Sequence, residues 1–289
     1  MAYPNTKIYF DGSHYIGIPH EEHPERCRKN LATNDDKKQA FETAYEENKT
    51  KKKAERKESI IESIKEYFDD EQQAREYVEQ NAERKLRNLI AKRQRLWRKV
   101  NLQKWDFFAT FTFDDKKHDE VSFRRSLSNC LKHLSSRKGW KYIGVWERSP
   151  EKNRLHFHCL LFVPKNTMVG ELVEKRDYDL NNHKMRITWQ NTYFNERYGR
   201  TDFEPMIPQE LGNTVAYLIK YIEKTGERIV YSKGLPQYFV SDVLDKDVIC
   251  GYGIEDRKLL LGDYFDCYTD GEYIGMVSPE VISKMPKSN

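Results

Sequence analysis

His156 and His158 stand two residues apart inside the apolar run Leu155-His156-Phe157-His158-Cys159-Leu160-Leu161. A run that apolar reads as a buried strand. Side chains alternate along a strand, so both imidazoles point to one face. Burying ring nitrogens without partners is unfavourable, and imidazole is the commonest protein metal ligand. The pair suggests a divalent-metal site, although two hydrogen-bonded core histidines give the same pattern. Glu147 ends the preceding strand-like segment, Lys141 to Trp146, and a short polar turn, Ser149 to Arg154, separates it from Leu155. Strands joined that closely form an antiparallel hairpin, which sets a carboxylate beside two imidazoles. Two histidines and one carboxylate leave coordination positions open for substrate oxygen. With a carboxylate in the set, Mg²⁺ or Mn²⁺ acting on a phosphate is the expected chemistry. Taken alone, Glu147 reads as an ordinary surface carboxylate.

A second group lies in the helical pattern over 208–225. Tyr217, Lys220, Tyr221 and Lys224 follow i, i+3, i+4, i+7 spacing and share an arc of roughly 100°. Leu211, Val215, Leu218, Ile219 and Ile222 fall on the opposite side and predict packing on a sheet. A phenol is a poor nucleophile at its free pKa of ~10, and a nearby cation favours the phenolate. Covalent catalysis by tyrosine is an established strategy. An amphipathic helix with exposed lysines and half-buried tyrosines shows the same spacing.

These residues need a frame to hold them. The chain has 289 residues, 33% charged and 38% hydrophobic, with a net charge of +4. That length allows one or two domains with a real core. No apolar run approaches the roughly 20 residues that span a bilayer, and no signal-peptide core follows the N-terminus, so a cytoplasmic location and no membrane partner are expected. The five cysteines form no CxxC pair and no disulfide framework. Cys159, opposite the histidine face, reads as a small buried residue.

Residues 1–34 show no clear period and read as an irregular arm; His14, His20 and His23 there lack ligand spacing. Residues 35–104 lose Gly and Pro and fill with strong helix formers, with breaks predicted near Lys49-Thr50 and Asp69-Asp70. Glu83 to Lys99 is basic, with Leu86, Leu89, Ile90 and Trp97 at helical spacing. Such a helix lies along a phosphate backbone or packs its stripe on the main domain. Trp105 to Phe113 reads as a strand, 121–137 as a helix, and Met185 to Thr188 as a short strand. Trp189, Tyr193, Phe194 and Tyr198 have roughly helical spacing. The order predicts an α+β fold, a central antiparallel sheet with helices packed on one face. Residues 236–289 read as a C-terminal extension without a clean period.

The combination resembles the HUH endonucleases, the rolling-circle replication initiators of small bacteriophages and plasmids. Phe108-Ala109-Thr110-Phe111-Thr112-Phe113-Asp114 resembles their first motif and His156-Phe157-His158 their second, with Glu147 in the place of the acidic residue on the neighbouring strand. Tyr217, Lys220, Tyr221 and Lys224 are similar to the doubled Tyr-x-x-Lys of two-tyrosine members. The resemblance spans about residues 105–235 and implies an HUH nicking domain with an RRM-like palm. It implies a metal, Mg²⁺ or Mn²⁺, held by His156, His158 and Glu147. It implies catalytic Tyr217 and Tyr221 supported by Lys220 and Lys224, and a 5′-phosphotyrosine link to single-stranded DNA or an origin hairpin. Host helicase and polymerase are the implied partners, in a bacterial cytoplasm. No GxxxxGK[ST] loop is present, which argues against a fused helicase. A transposase or relaxase shares this site. A non-catalytic nucleic-acid binder is the third reading, with Phe107, Phe111 and Phe113 stacking bases.

Overall fold

Apolar alternation in the first twenty residues builds two strands, β1 (Tyr3–Phe10) and β2 (Tyr15–Ile18), paired antiparallel from Lys7↔Ile18 to Phe10↔Tyr15. The irregular arm expected there is therefore corrected. Its strands were illegible locally because β1's other partner lies far along the chain, with Thr6 opposite Ser241. The computed structural model describes residues 2–20, 36–149, 153–179, 183–225, 227–252 and 258–288. His23 and part of the turn after Glu147 lie outside these.

The chain divides into two units, residues 21–94 and residues 1–20 with 95–289. In the smaller unit, α1 (Asp36–Glu47), α2 (Lys53–Ile64) and the first part of α3 (Glu71–Asn101) break where the sequence predicts. Phe41, Ile60, Ile61, Ile64, Ala74 and Val78 bury their apolar stripes against one another. Arg75 forks onto Glu58 at 3.0 and 3.1 Å. Leu86 and Ile90, expected to be packed, are 53% and 43% exposed.

The larger unit holds the central sheet. In chain order its elements are β3 (Phe107–Thr112), α4 (Glu120–Lys138), β4 (Lys141–Arg148), β5 (Leu155–Phe162), β6 (Leu172–Asp179) and β7 (Lys184–Asn191). There follow α5 (Thr192–Arg197), β8 (Thr201–Pro205), α6 (Leu211–Thr225) and β9 (Val230–Tyr231). The sheet order is β8-β3-β5-β4-β9, and β6-β7 forms a separate two-stranded ribbon. Aromatic and β-branched residues suit a pleated, half-buried surface, and period two divides them between two faces. Ala109, Phe111, Trp146, Phe157 and Cys159 pack with Phe123, Leu127 and Leu131 of α4. Ile143, Val145 and Leu160 pack with Val215 and Leu218 of α6 and with Leu96 and Val100 at the end of α3. Helices thus cover both faces rather than one, because each face carries its own apolar row. Trp189 lies in β7 rather than on a helix, and α5 begins after it.

Local chemistry fixes the ends of α4. Asp119 caps it, accepting from the Ser122 amide at 2.7 Å while Ser122 returns a bond to the Asp119 amide at 3.1 Å. Gly139 ends it at φ 73°, a left-handed conformation that suits glycine. Gly144 in β4 has no room for a side chain: a Cβ there would run into the Phe157 ring and approach the Cys159 Cβ to 2.7 Å.

The C-terminal extension is the other half of β1's sheet. Its elements are β10 (Tyr238–Val243), β11 (Val248–Tyr252), β12 (Lys258–Leu261), β13 (Asp266–Thr269), β14 (Glu272–Met276), α7 (Pro279–Lys284) and β15 (Lys287–Ser288). The sheet order is β11-β12-β2-β1-β10-β13-β14, with β15 also on β10. Ile8, Phe239, Leu261, Phe265, Cys267 and Ile282 form its core. Among the described residues, no helix is long and apolar enough to cross a membrane.

Candidate active site

The register of the central sheet sets the polar residues of one face in rows. Across β3, β5 and β4, Thr112 faces His156 and His156 faces Glu147; one step along, Thr110 faces His158. Directly opposed residues share a face. Thr112 Oγ1 lies 2.8 Å from Nδ1 of His156, and Thr110 Oγ1 lies 3.0 Å from Nδ1 of His158. An imidazole that ligates through Nε2 carries its proton on Nδ1, and these threonine hydroxyls are placed to accept it. Thr110 and Thr112 have no role in the sequence reading; their signal is the period-two match of Thr-Phe-Thr to His-Phe-His.

Glu147 is buried, at 6% exposure, beside His158. Its Oε2 lies 2.8 Å from His158 Nε2. The contact is close but out of line for a hydrogen bond, which leaves this buried ring nitrogen without a hydrogen-bond partner. Such a nitrogen is costly unless something occupies it. Burial, and next the neighbouring His158 ring, push the pKa of His156 down to about 4, so the ring is neutral at pH 7 as ligation requires. The rings of His156 and His158 are 6.0 Å apart. Two imidazoles and a carboxylate suit Mg²⁺ or Mn²⁺ in donor type. As the side chains stand, no three His, Cys, Asp or Glu among the described residues converge on one ion position.

The tyrosines of α6 close over this row. Tyr221 stacks on His158 at 5.9 Å and 14°. Tyr217 meets His158 edge-on at 5.7 Å, Phe108 at 5.7 Å and Tyr221 at 4.5 Å. The Tyr217 hydroxyl donates to Tyr221, and the Tyr221 hydroxyl donates to the Glu147 carboxylate. Both phenols are held above the ordinary tyrosine pKa, first by burial. For Tyr217 the donated bond adds to this, and for Tyr221 the Glu147 charge does. The cation-favoured phenolate expected from the sequence is thus corrected. Lys220 is exposed and does not line the cleft. It lies ~60° from Tyr217 around the helix, on the side away from Tyr221. The Lys224 side chain lies outside the described residues.

A cleft of about 790 Å³ covers the site, lined by Thr110, Thr112, Glu147, His156, His158, Tyr217 and Tyr221 and rimmed by Arg186, Arg200, Asp202 and Glu204. Arg186 and Arg200 are absent from the sequence reading because nothing in residues 164–205 ties those positions to the histidines. The aromatic residues offered for base stacking face the other way. Phe111 and Phe113 are 0% and 6% exposed and Phe107 is half-buried, all packed in the α4 core.

No curated protein and no solved structure matches the chain. Residues 106–226, which run from β3 into the end of α6 and contain every residue lining the cleft, match the model of a replication-associated protein family, that of the ORF2 type.

Proposed function

We propose that this chain initiates rolling-circle replication as an HUH-type nickase and strand transferase with two working tyrosines. The observation that carries the reading is the chain of contacts from Tyr217 to Tyr221 to Glu147 to His158, inside the segment that matches a replication-associated family. His156, His158 and Glu147 are the residues that would hold the divalent ion, with small rotamer changes. When bound, Mg²⁺ or Mn²⁺ supplies Lewis-acid polarisation of the scissile phosphate.

The protein's own groups do the rest. α6 holds the nucleophile against the sheet face, so attack is effectively intramolecular once DNA is seated. The Tyr221 oxygen attacks phosphorus and the P–O3′ bond breaks. The phenol proton leaves through Glu147, and the 3′ oxygen ends as a hydroxyl. The Tyr217 hydroxyl, already donating to Tyr221, stabilises the charge that develops on that oxygen. The product is a 5′-phosphotyrosine that conserves the energy of the broken bond, so rejoining needs no ATP. Tyr217 attacks in the later strand transfer. Host polymerase extends the free 3′ end, and a host helicase opens the duplex.

The test uses labelled single-stranded oligonucleotides tiling the DNA around the chain's own gene, with Mn²⁺. The expected result is a protein–DNA adduct that survives denaturation and forms on one sequence. Binding without any adduct, at every position tiled, contradicts the reading.

A further inference from the structure

The sequence reading assigns the phosphate-facing positive charge to lysines of α6, yet Lys220 stays out of the cleft. Among the described residues that line it, the cations are Arg186 of β7 and Arg200 just before β8. Both are half-exposed, and each leans on carboxylates. Arg186 Nη2 is 3.3 Å from Asp202 Oδ2 and 3.8 Å from Glu204 Oε2, and Arg200 Nη2 is 2.6 Å from Asp177 Oδ2. Exposed pairs of this kind contribute little to stability, so they exchange readily for a stronger anion. A guanidinium fork suits phosphate oxygens in two-point contact.

The frame behind them is rigid. Asp177 also accepts from Thr188 Oγ1 at 2.9 Å and from Gln190 Nε2 at 3.3 Å. Asn195 ties Gln190 at 2.9 Å to Thr201 at 2.7 Å. The ribbon is thereby latched beside β8. Asp202 faces Thr110 across β8 and β3, and Thr110 faces His158 on β5. Two strand spacings, roughly 10 Å, therefore separate the arginine rim from the histidines. That distance places the arginines on a phosphate neighbouring the scissile one, not on the reacting group.

Resting on the nickase reading above, we propose that Arg186 and Arg200 form a phosphate clamp that seats single-stranded DNA in the cleft beside the nick. They are positioning residues: they bind backbone and leave the chemistry to Tyr221 and its partners.

The probe is a fluorescent single-stranded oligonucleotide carrying the sequence on which the wild type forms its adduct; if the wild type forms none, the nickase reading has failed instead. Binding is read by anisotropy across salt, and adduct formation across DNA concentration. For Arg186→Ala with Arg200→Ala, the salt slope should fall by about 1.4, at about 0.7 per lost single-strand phosphate contact. KM should rise at least tenfold while the saturating adduct rate stays within about threefold. Arg186→Lys with Arg200→Lys should recover the slope, because it keeps both charges, and should recover only part of the affinity. An unchanged slope and KM in the folded alanine variant overturn the clamp. So does a lysine variant whose slope stays as low as the alanine one, the outcome that also decides the matter if the alanine variant misfolds.

Discussion

Replacing Thr110 and Thr112 by valine removes two hydroxyls and almost nothing else. Valine keeps the β-branched shape that suits a strand. Each change deletes one contact to a histidine Nδ1, at 3.0 Å for His158 and 2.8 Å for His156. Lost as a hydrogen bond, each is worth about 0.5–1.5 kcal/mol of stability. A loss near 1 kcal/mol lowers the Tm of a chain this size by roughly 2–4 °C. The larger effect falls on the ion. A histidine's outer partner fixes its tautomer and ring orientation, and losing one typically costs about 10–100-fold in metal affinity. The two threonines serve adjacent ligands, so their effects couple and the double variant should lose about 100- to 1,000-fold. Titration of the metal-free protein with Mn²⁺ by calorimetry reads this directly, with a melt in EDTA as the folding control. A double variant that melts near the wild type yet binds Mn²⁺ within twofold of it refutes the argument that these hydroxyls orient ligands.

Three further outcomes follow from the geometry. Gly144→Ala forces a methyl into the Phe157 ring and the Cys159 Cβ at 2.7 Å, and overpacking of this kind costs about 1–3 kcal/mol; urea midpoints should show it. Tyr142, Tyr198 and Tyr231 have their pKa pushed up to about 12 by burial, against 10.0 unfolded. Above pH 10 the unfolded chain releases these protons and the folded one keeps them, so stability is full below pH 10 and declines between 10 and 12; denaturation at pH 8 and 11 checks the sign, and Tyr142→Phe should flatten the decline. Because Lys220 is exposed and outside the cleft, Lys220→Ala should change the adduct rate by less than about threefold in single-turnover kinetics; a loss of 100-fold would place that ammonium at the phosphate.

The hairpin of β4 and β5 was legible because its signals are local: an apolar run, a polar turn, and period-two alternation that forces His156, His158 and Glu147 to one face. The helix of Tyr217 and Tyr221 was legible for the same reason at a period of 3.6. What the sequence hid was pairing over distance. β1 and β10 form one sheet from opposite ends of the chain, and neither carries a local mark of its partner. β6, Leu172–Asp179, is so charged that its alternation does not stand out, which concealed the ribbon and with it Arg186. The phenolate expectation failed because spacing places residues on an arc but does not say which part of it is buried. Tyr217 and Tyr221 turn to the sheet, while Lys220 turns to water.

The central claim is that a tyrosine of α6 becomes joined to DNA through phosphate. Mass spectrometry of nuclease-trimmed adducts, formed with Mn²⁺ on the sequence found by tiling, reads the joined residue. The account predicts a nucleotide-phosphate on Tyr221 in the wild type, none on any residue in the Tyr217→Phe, Tyr221→Phe double variant, and none without a divalent ion. An adduct on a residue outside α6, or one that persists in the double variant, contradicts it.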